Sequence, residues 1–127
     1  MKDFRRLAVW GKAHALTLAI YRMTGMFPRA ELYGITSQMR RCGASVPANI
    51  AEGCGRTGDG EFHRFLNMAA GSAVELEYFL LLARDLRFMS AEDYDKVNRD
   101  ALEVQRMLAS LLRKVARDWA PFNVAAH

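Results

Sequence analysis

The sequence predicts an all-α protein, an antiparallel up-down-up-down four-helix bundle. Three observations lead there. Apolar residues recur at alternating steps of three and four along four separate segments, the spacing of one helical face. No segment alternates apolar and polar residues with period two between hairpin turns, so no sheet is predicted. The connections left between segments are short, as antiparallel neighbours require. With 127 residues, 51% of them hydrophobic, residues 1–127 form a single domain around one core.

The first helix is expected over 6–25, where Val9, Ala13, Leu16, Ile20 and Met23 form one stripe that Phe27 continues. Gly25 and Pro28 supply its stop. The second, over 31–54, carries Ile35, Met39, Cys42 and Val46. Pro47 lies inside it, lacks an N–H and removes the bond to the Gly43 carbonyl, so the second helix is predicted to kink or break near Ser45. The third, over 59–87, shows Phe62, Leu66, Ala69, Ala73, Leu76, Leu80 and Ala83. The fourth, over 91–117, shows Tyr94, Val97, Ala101, Val104, Leu108, Leu111 and Val115. Its start is marked by Ser90-Ala-Glu-Asp93, which reads as a capping box, and by Met89 with Tyr94 as a hydrophobic staple. Residues 118–127 are expected as a tail.

Between the second and third helices, "EGCGRTGDGE" matches G-x-G-x-x-G through Gly53, Gly55 and Gly58. A dinucleotide fingerprint needs a strand before its glycines and a βαβ unit around them. Helices flank this stretch, so it reads as a loop. Gly53 or Gly55 suits the left-handed residue that ends a helix, and Thr57 or Asp59 suits the next N-cap.

The residues that build common catalytic centres are absent or scattered. No Glu-x-x-His pair occurs, His14, His63 and His127 are isolated, and Cys42 and Cys54 form no CxxC, so no metal or cofactor is expected. There is no GKS or GKT phosphate loop and no G-x-S-x-G elbow, and Ser37, Ser45 and Ser72 have no histidine nearby in sequence. An enzyme with a small-molecule substrate is not expected. On one helix the two cysteines would stand roughly 18 Å apart, too far to bridge. Free thiols suit a reducing cytoplasm. Cys42 falls on the apolar stripe and reads as inert, whereas Cys54, near a helix end, is expected to be more exposed. No secretory leader and no run of about 18 uncharged apolar residues is seen, so no membrane association is expected.

The polar residues of the second helix are unusual in their placement. Gln38, Arg41, Ser45, Asn49 and Glu52 share a sector that borders the apolar stripe instead of opposing it. A row of hydrogen-bonding groups there is expected to be half buried and to need partners. Glu75 interrupts an otherwise apolar line on the third helix, so Arg41 is its expected partner, with Asn49 and Ser72 completing a network that fixes helix register. On this reading Arg41 is buried, and Glu75→Leu should cost more than Glu77→Leu.

The third helix is apolar on more than two faces. Phe79 and Leu82 lie on its second face, and Val74, Tyr78 and Leu81 occupy the remaining third. A helix in an isolated bundle buries one stripe, so the surplus is expected to be covered by further copies of the same chain. These five residues are the interface candidates. The alternative is a module that docks a different protein on that face.

The formal net charge is +4, and it is uneven. Residues 1–30 carry six Lys or Arg against one Asp, more than the whole excess, while residues 58–89 carry three against five. Lys2, Arg5, Arg6, Lys12, Arg40 and Arg56 are the candidate contacts to nucleic-acid phosphates. Aromatic residues do not interleave with these charges along the chain as a single-strand stacking platform would need.

Three stretches then suggest a family. "DFRRLAVWGKA", "SQMRRCGASVPANIAEG" and "EFHRFLNMAAGSAVELE" resemble the small four-helix-bundle proteins encoded by intervening sequences within bacterial 23S ribosomal RNA genes. The resemblance covers roughly residues 3–115. It rests on Gln38, Arg40, Arg41, Ser45, Pro47, Asn49, Ile50, Ala51, Glu52 and Gly53, and on Phe65, Leu66, Ala69, Gly71, Ser72, Glu75 and Leu76. It implies a ring-shaped homopentamer. It also implies kinship in fold with the accessory proteins of diversity-generating retroelements, which are basic, pentameric and bind nucleic acid. RNA or DNA is therefore the implied partner beside the chain itself, an analogy across a fold.

Overall fold

The computed structural model describes residues 2–125, and side chains as far as residue 118. Four helices dominate them: α1 (Ala8–Thr24), α2 (Ser37–Cys54), α3 (Asp59–Asp85) and α4 (Ala91–Ala125). No strand occurs among the described residues. Each helix packs on its neighbours in the chain and α4 closes against α1. Cross-helix contacts give the direction. Arg40 early in α2 meets Thr24 late in α1, Ser45 meets Ser72, and Arg84 late in α3 stacks on Tyr94 early in α4. Consecutive helices therefore run antiparallel, up-down-up-down.

The stripe residues point inward. Ile20, Met39, Val46, Ile50, Leu66, Leu76, Leu80 and Leu108 are fully buried in one cluster. Each such side chain withdrawn from water stabilises the fold by about 1.5–3 kcal/mol. Of the helices, α3 is also long and apolar enough to cross a bilayer by length and composition. Here it packs between α2 and α4, with Phe62, Leu66, Leu76 and Leu80 inside.

The second helix departs from expectation. It starts at Ser37, because a 3₁₀ turn at Arg29–Glu31 and a π-type turn at Leu32–Thr36 precede it. The chain leaves helical dihedrals at Gly34 (φ −108°, ψ −117°) and not at Ser45. Through Pro47, α2 continues to Cys54 without interruption, so the break predicted near Ser45 is not found. The freed Gly43 carbonyl is not left bare. Thr17 Oγ1, from α1, donates to it at 2.9 Å, sharing its one proton with the Ala13 carbonyl at 3.0 Å, so a neighbouring helix supplies the hydrogen bond that proline removes.

The glycine stretch is also used differently. Gly53 lies inside α2 and is buried, and a Cβ there would sit 2.8 Å from Phe65 Cβ and 3.2 Å from the Phe62 ring. It lets α2 and α3 approach. Gly55 ends α2 at φ −83°, an ordinary right-handed value. The left-handed residue is Gly58 (φ +86°), which caps α3, so neither Thr57 nor Asp59 is the N-cap. At its far end α3 closes on Arg87 (φ 62°), with the Phe88 amide donating to the Ala83 carbonyl at 3.0 Å in a Schellman-type stop.

Ser90 Oγ accepts from the Asp93 amide at 3.1 Å and starts α4. The helix then runs to Ala125, through most of the segment expected as a tail.

Candidate functional site

The polar row of α2 divides into three pieces. Ser45 and Ser72 share a hydrogen bond of 2.9 Å, and Asn49 Nδ2 donates to both the Ser45 carbonyl and its Oγ at 2.9 Å. That piece is half-buried and ties α2 to α3. Arg41 Nη2 donates to Glu75 Oε2 at 2.8 Å and to Gln38 Oε1 at 3.0 Å. Glu52 joins neither, pairing with Arg56 four residues on at 3.0 Å.

Burial is where the expectation fails. The Arg41 and Glu75 side chains are 55% and 42% exposed, because both are long enough to reach the rim from backbone positions beside the core. An exposed pair of this kind contributes little. Glu77 is also satisfied, accepting from Gln105 Nε2 at 2.8 Å. Glu75→Gln is therefore expected to change stability by less than about 1 kcal/mol, and less again in high salt, in urea melts at two ionic strengths. The larger penalty for Glu75→Leu than for Glu77→Leu, argued from a buried arginine, loses its basis.

Between these two carboxylates lies the outer stripe of α3. Val74, Tyr78 and Leu81 are 56%, 57% and 37% exposed in the single chain, and Met68 extends the stripe. Phe79 and Leu82 differ from them, since both are half-buried and pack against the core of their own chain. As interface candidates the set thus reduces to the three outward residues with Met68. Gly71 sits on the same face with open space where a side chain would be.

The basic candidates are not gathered into one surface. Lys2 donates its amide to the Cys54 carbonyl and lays its ammonium 4.5 Å from the Phe62 ring centre. Arg56 lies over Phe65 at the same end of the bundle. Arg5 pairs with Asp3 at 3.6 Å, and Arg6 belongs to the same short turn. Arg64 also stands at this end and donates to Glu61, which holds that carboxyl below the usual range. Lys12 pairs with Glu103 of α4 at 3.4 Å. Arg40 lies at the opposite end, so the six candidates form no single patch.

Sequence reasoning missed what surrounds Arg40. Its Nε donates to Thr24 Oγ1 at 2.9 Å, its Nη2 to the Tyr21 carbonyl at 3.4 Å, and its guanidinium lies 4.9 Å over the Tyr21 ring. With Tyr21, Leu32, Tyr33, Ser37 and Arg41 it lines a cleft of about 410 Å³. Tyr33 is 92% exposed on its π-type turn. Aromatic and basic groups thus do interleave, in space, where the linear sequence shows no such pattern.

Both cysteines are buried and unbridged, including Cys54, which was expected to be more exposed. Burial, assisted by the Glu75 charge, pushes the Cys42 thiol from 9.0 up to about 11, and burial also raises Cys54. Neither is expected to react with a disulfide reagent at pH 8 until the protein is unfolded. In the unfolded chain the Cys42 thiol ionises first, so its contribution to stability is present below pH 9 and is lost towards pH 11. Thermal melts between pH 8 and 11 should show that decline, and Cys42→Ala should flatten it. Among the described residues no group of three or more His, Cys, Asp or Glu is placed to hold a metal ion.

The chain is similar to a crystal structure of a protein of unknown function from the S23 ribosomal protein family of Bacteroides thetaiotaomicron. Identity is 27%, the TM-score is 0.75, and the match covers 83% of this chain and 98% of that one. No curated protein matches. A family model described as 23S rRNA-intervening sequence protein matches residues 5–110.

Proposed function

The chain belongs to the 23S rRNA-intervening sequence protein family, and from that footing we propose a non-enzymatic scaffold that assembles from copies of itself through the outer face of α3. The observation that carries this reading is the exposure of Val74, Tyr78 and Leu81 on one ordered helix. Contiguous apolar surface of this kind is where soluble chains meet partners. The subunit number follows the family resemblance, a ring of five. The cytoplasm suits two reduced, sealed thiols.

Assembly gives modest charge a purpose. Each exposed cation recurs around a ring, so a net charge of +4 per chain multiplies without any strong patch on one subunit. RNA or DNA, held through phosphates by Lys2, Arg5, Arg6, Lys12 and Arg56, is the ligand this favours. Light scattering on the purified protein is expected to give a mass several times 14.3 kDa. Copurifying nucleic acid, lost as salt rises, supports the ligand. A monomer free of nucleic acid at all salt concentrations refutes both, and leaves the same α3 face as a docking site for a different protein.

A further inference from the structure

Resting on that self-association, we propose that the seam is head-to-tail: the α3 stripe of one chain seats on the Tyr21–Tyr33 surface of the next. Large exposed apolar residues fall into two groups. One is the α3 group, namely Met68, Val74, Tyr78, Leu81 and, at its end, Leu86. The other is at the junction of α1 and α2, where Leu18, Tyr21, Met26, Leu32 and Tyr33 lie. Among the described residues α4 contributes none.

Charge decides how the two groups combine. Between residues 65 and 83, α3 carries Glu75 and Glu77 and no Lys or Arg. These flank the stripe on its α2 and α4 sides, as their contacts to Arg41 and Gln105 show. Pairing α3 with α3 about a two-fold axis would bring Glu77 of each chain, whose partner Gln105 is neutral, to an apolar contact that adds no cation, which is unfavourable. The other surface has the opposite sign. Residues 28–41 carry Arg29 and Arg40 against Glu31, beside an Arg41 already paired with Glu75 of its own chain.

Shape and rigidity agree with charge. The cleft beside Tyr33 offers space of about 410 Å³ for an incoming Tyr78 or Leu81 side chain. Arg40 is fixed beforehand by Thr24, the Tyr21 carbonyl and the Tyr21 ring, so seating a partner orders little that is not already ordered. Exposed tyrosine beside arginine is also the composition of interface hot spots. Two unlike patches on one subunit make a contact that repeats around a ring instead of stopping at two chains.

Tyr33→Glu and Tyr78→Glu test this, since both side chains are exposed and neither supports the core. Each variant is expected to remain helical by circular dichroism yet to give monomer mass at concentrations where the wild type is assembled. Crosslinking keeps the test decisive where a glutamate variant loses assembly for another reason. Under mild oxidation a Tyr33→Cys chain and a Tyr78→Cys chain should crosslink to each other, and neither to itself. A Tyr78→Cys homodimer, or a Tyr33→Glu protein that stays assembled, overturns the head-to-tail seam while leaving self-association intact. A monomeric wild type removes self-association, and the seam with it.

Discussion

Gly53→Ala is expected to destabilise the folded chain by about 2 kcal/mol, whereas Gly71→Ala stabilises it by about 0.5–1 kcal/mol. The same methyl group meets opposite surroundings. At Gly53 it would arrive 2.8 Å from Phe65 Cβ, an atom fixed to the backbone, so α2 and α3 must separate to admit it. The intrinsic gain of alanine over glycine in a helix offsets only part of that strain. At Gly71 nothing of the single chain lies within 4 Å, so in the unassembled chain that gain stands alone. Urea unfolding at one fixed protein concentration checks both, so that concentration does not enter the comparison. If the two variants shift the midpoint in the same direction, the close approach at Gly53 does not exist.

The second large effect concerns Thr17. Replacing it with Val is expected to cost about 1–3 kcal/mol, because the Gly43 carbonyl is then buried without a donor. Thr17→Ser keeps the hydroxyl and should cost much less. The sharper test is a cycle with Pro47→Ala. Alanine restores the amide that bonds Gly43 within α2, so Thr17→Val should be milder in that background, with a coupling of about 1 kcal/mol. An equal cost in both backgrounds would mean that the hydroxyl does not stand in for the proline's missing N–H.

The sequence made the bundle legible because its stripes are local. Ile20, Val46, Leu76 and Leu108 are inside for the reason their three-and-four spacing gave. The partnership of Arg41 with Glu75 was legible too, since both positions border a stripe. Their exposure was not, because spacing locates a Cα and says nothing of how far a long side chain reaches. Pro47 drew attention as the obvious breaker, but its remedy, Thr17, stands on another helix. Gly34, an unremarkable glycine in sequence, took the break instead. The glycines after Glu52 read as loop punctuation, which holds for Gly55 and Gly58. Gly53 answers to Phe62 and Phe65 across a helix contact that no local motif reveals. The surface around Arg40 was hidden for the same reason. Tyr21 stands well before Tyr33 and Arg40 along the chain and meets them only once α1 and α2 are antiparallel.

One asymmetry has a practical use. The described length of α4 keeps its outward side hydrophilic, so the molecule has a back as well as a front. A spectroscopic probe attached at Asp95 or Arg106, both exposed there, would ride on the rear of the molecule and follow its tumbling without touching either apolar patch.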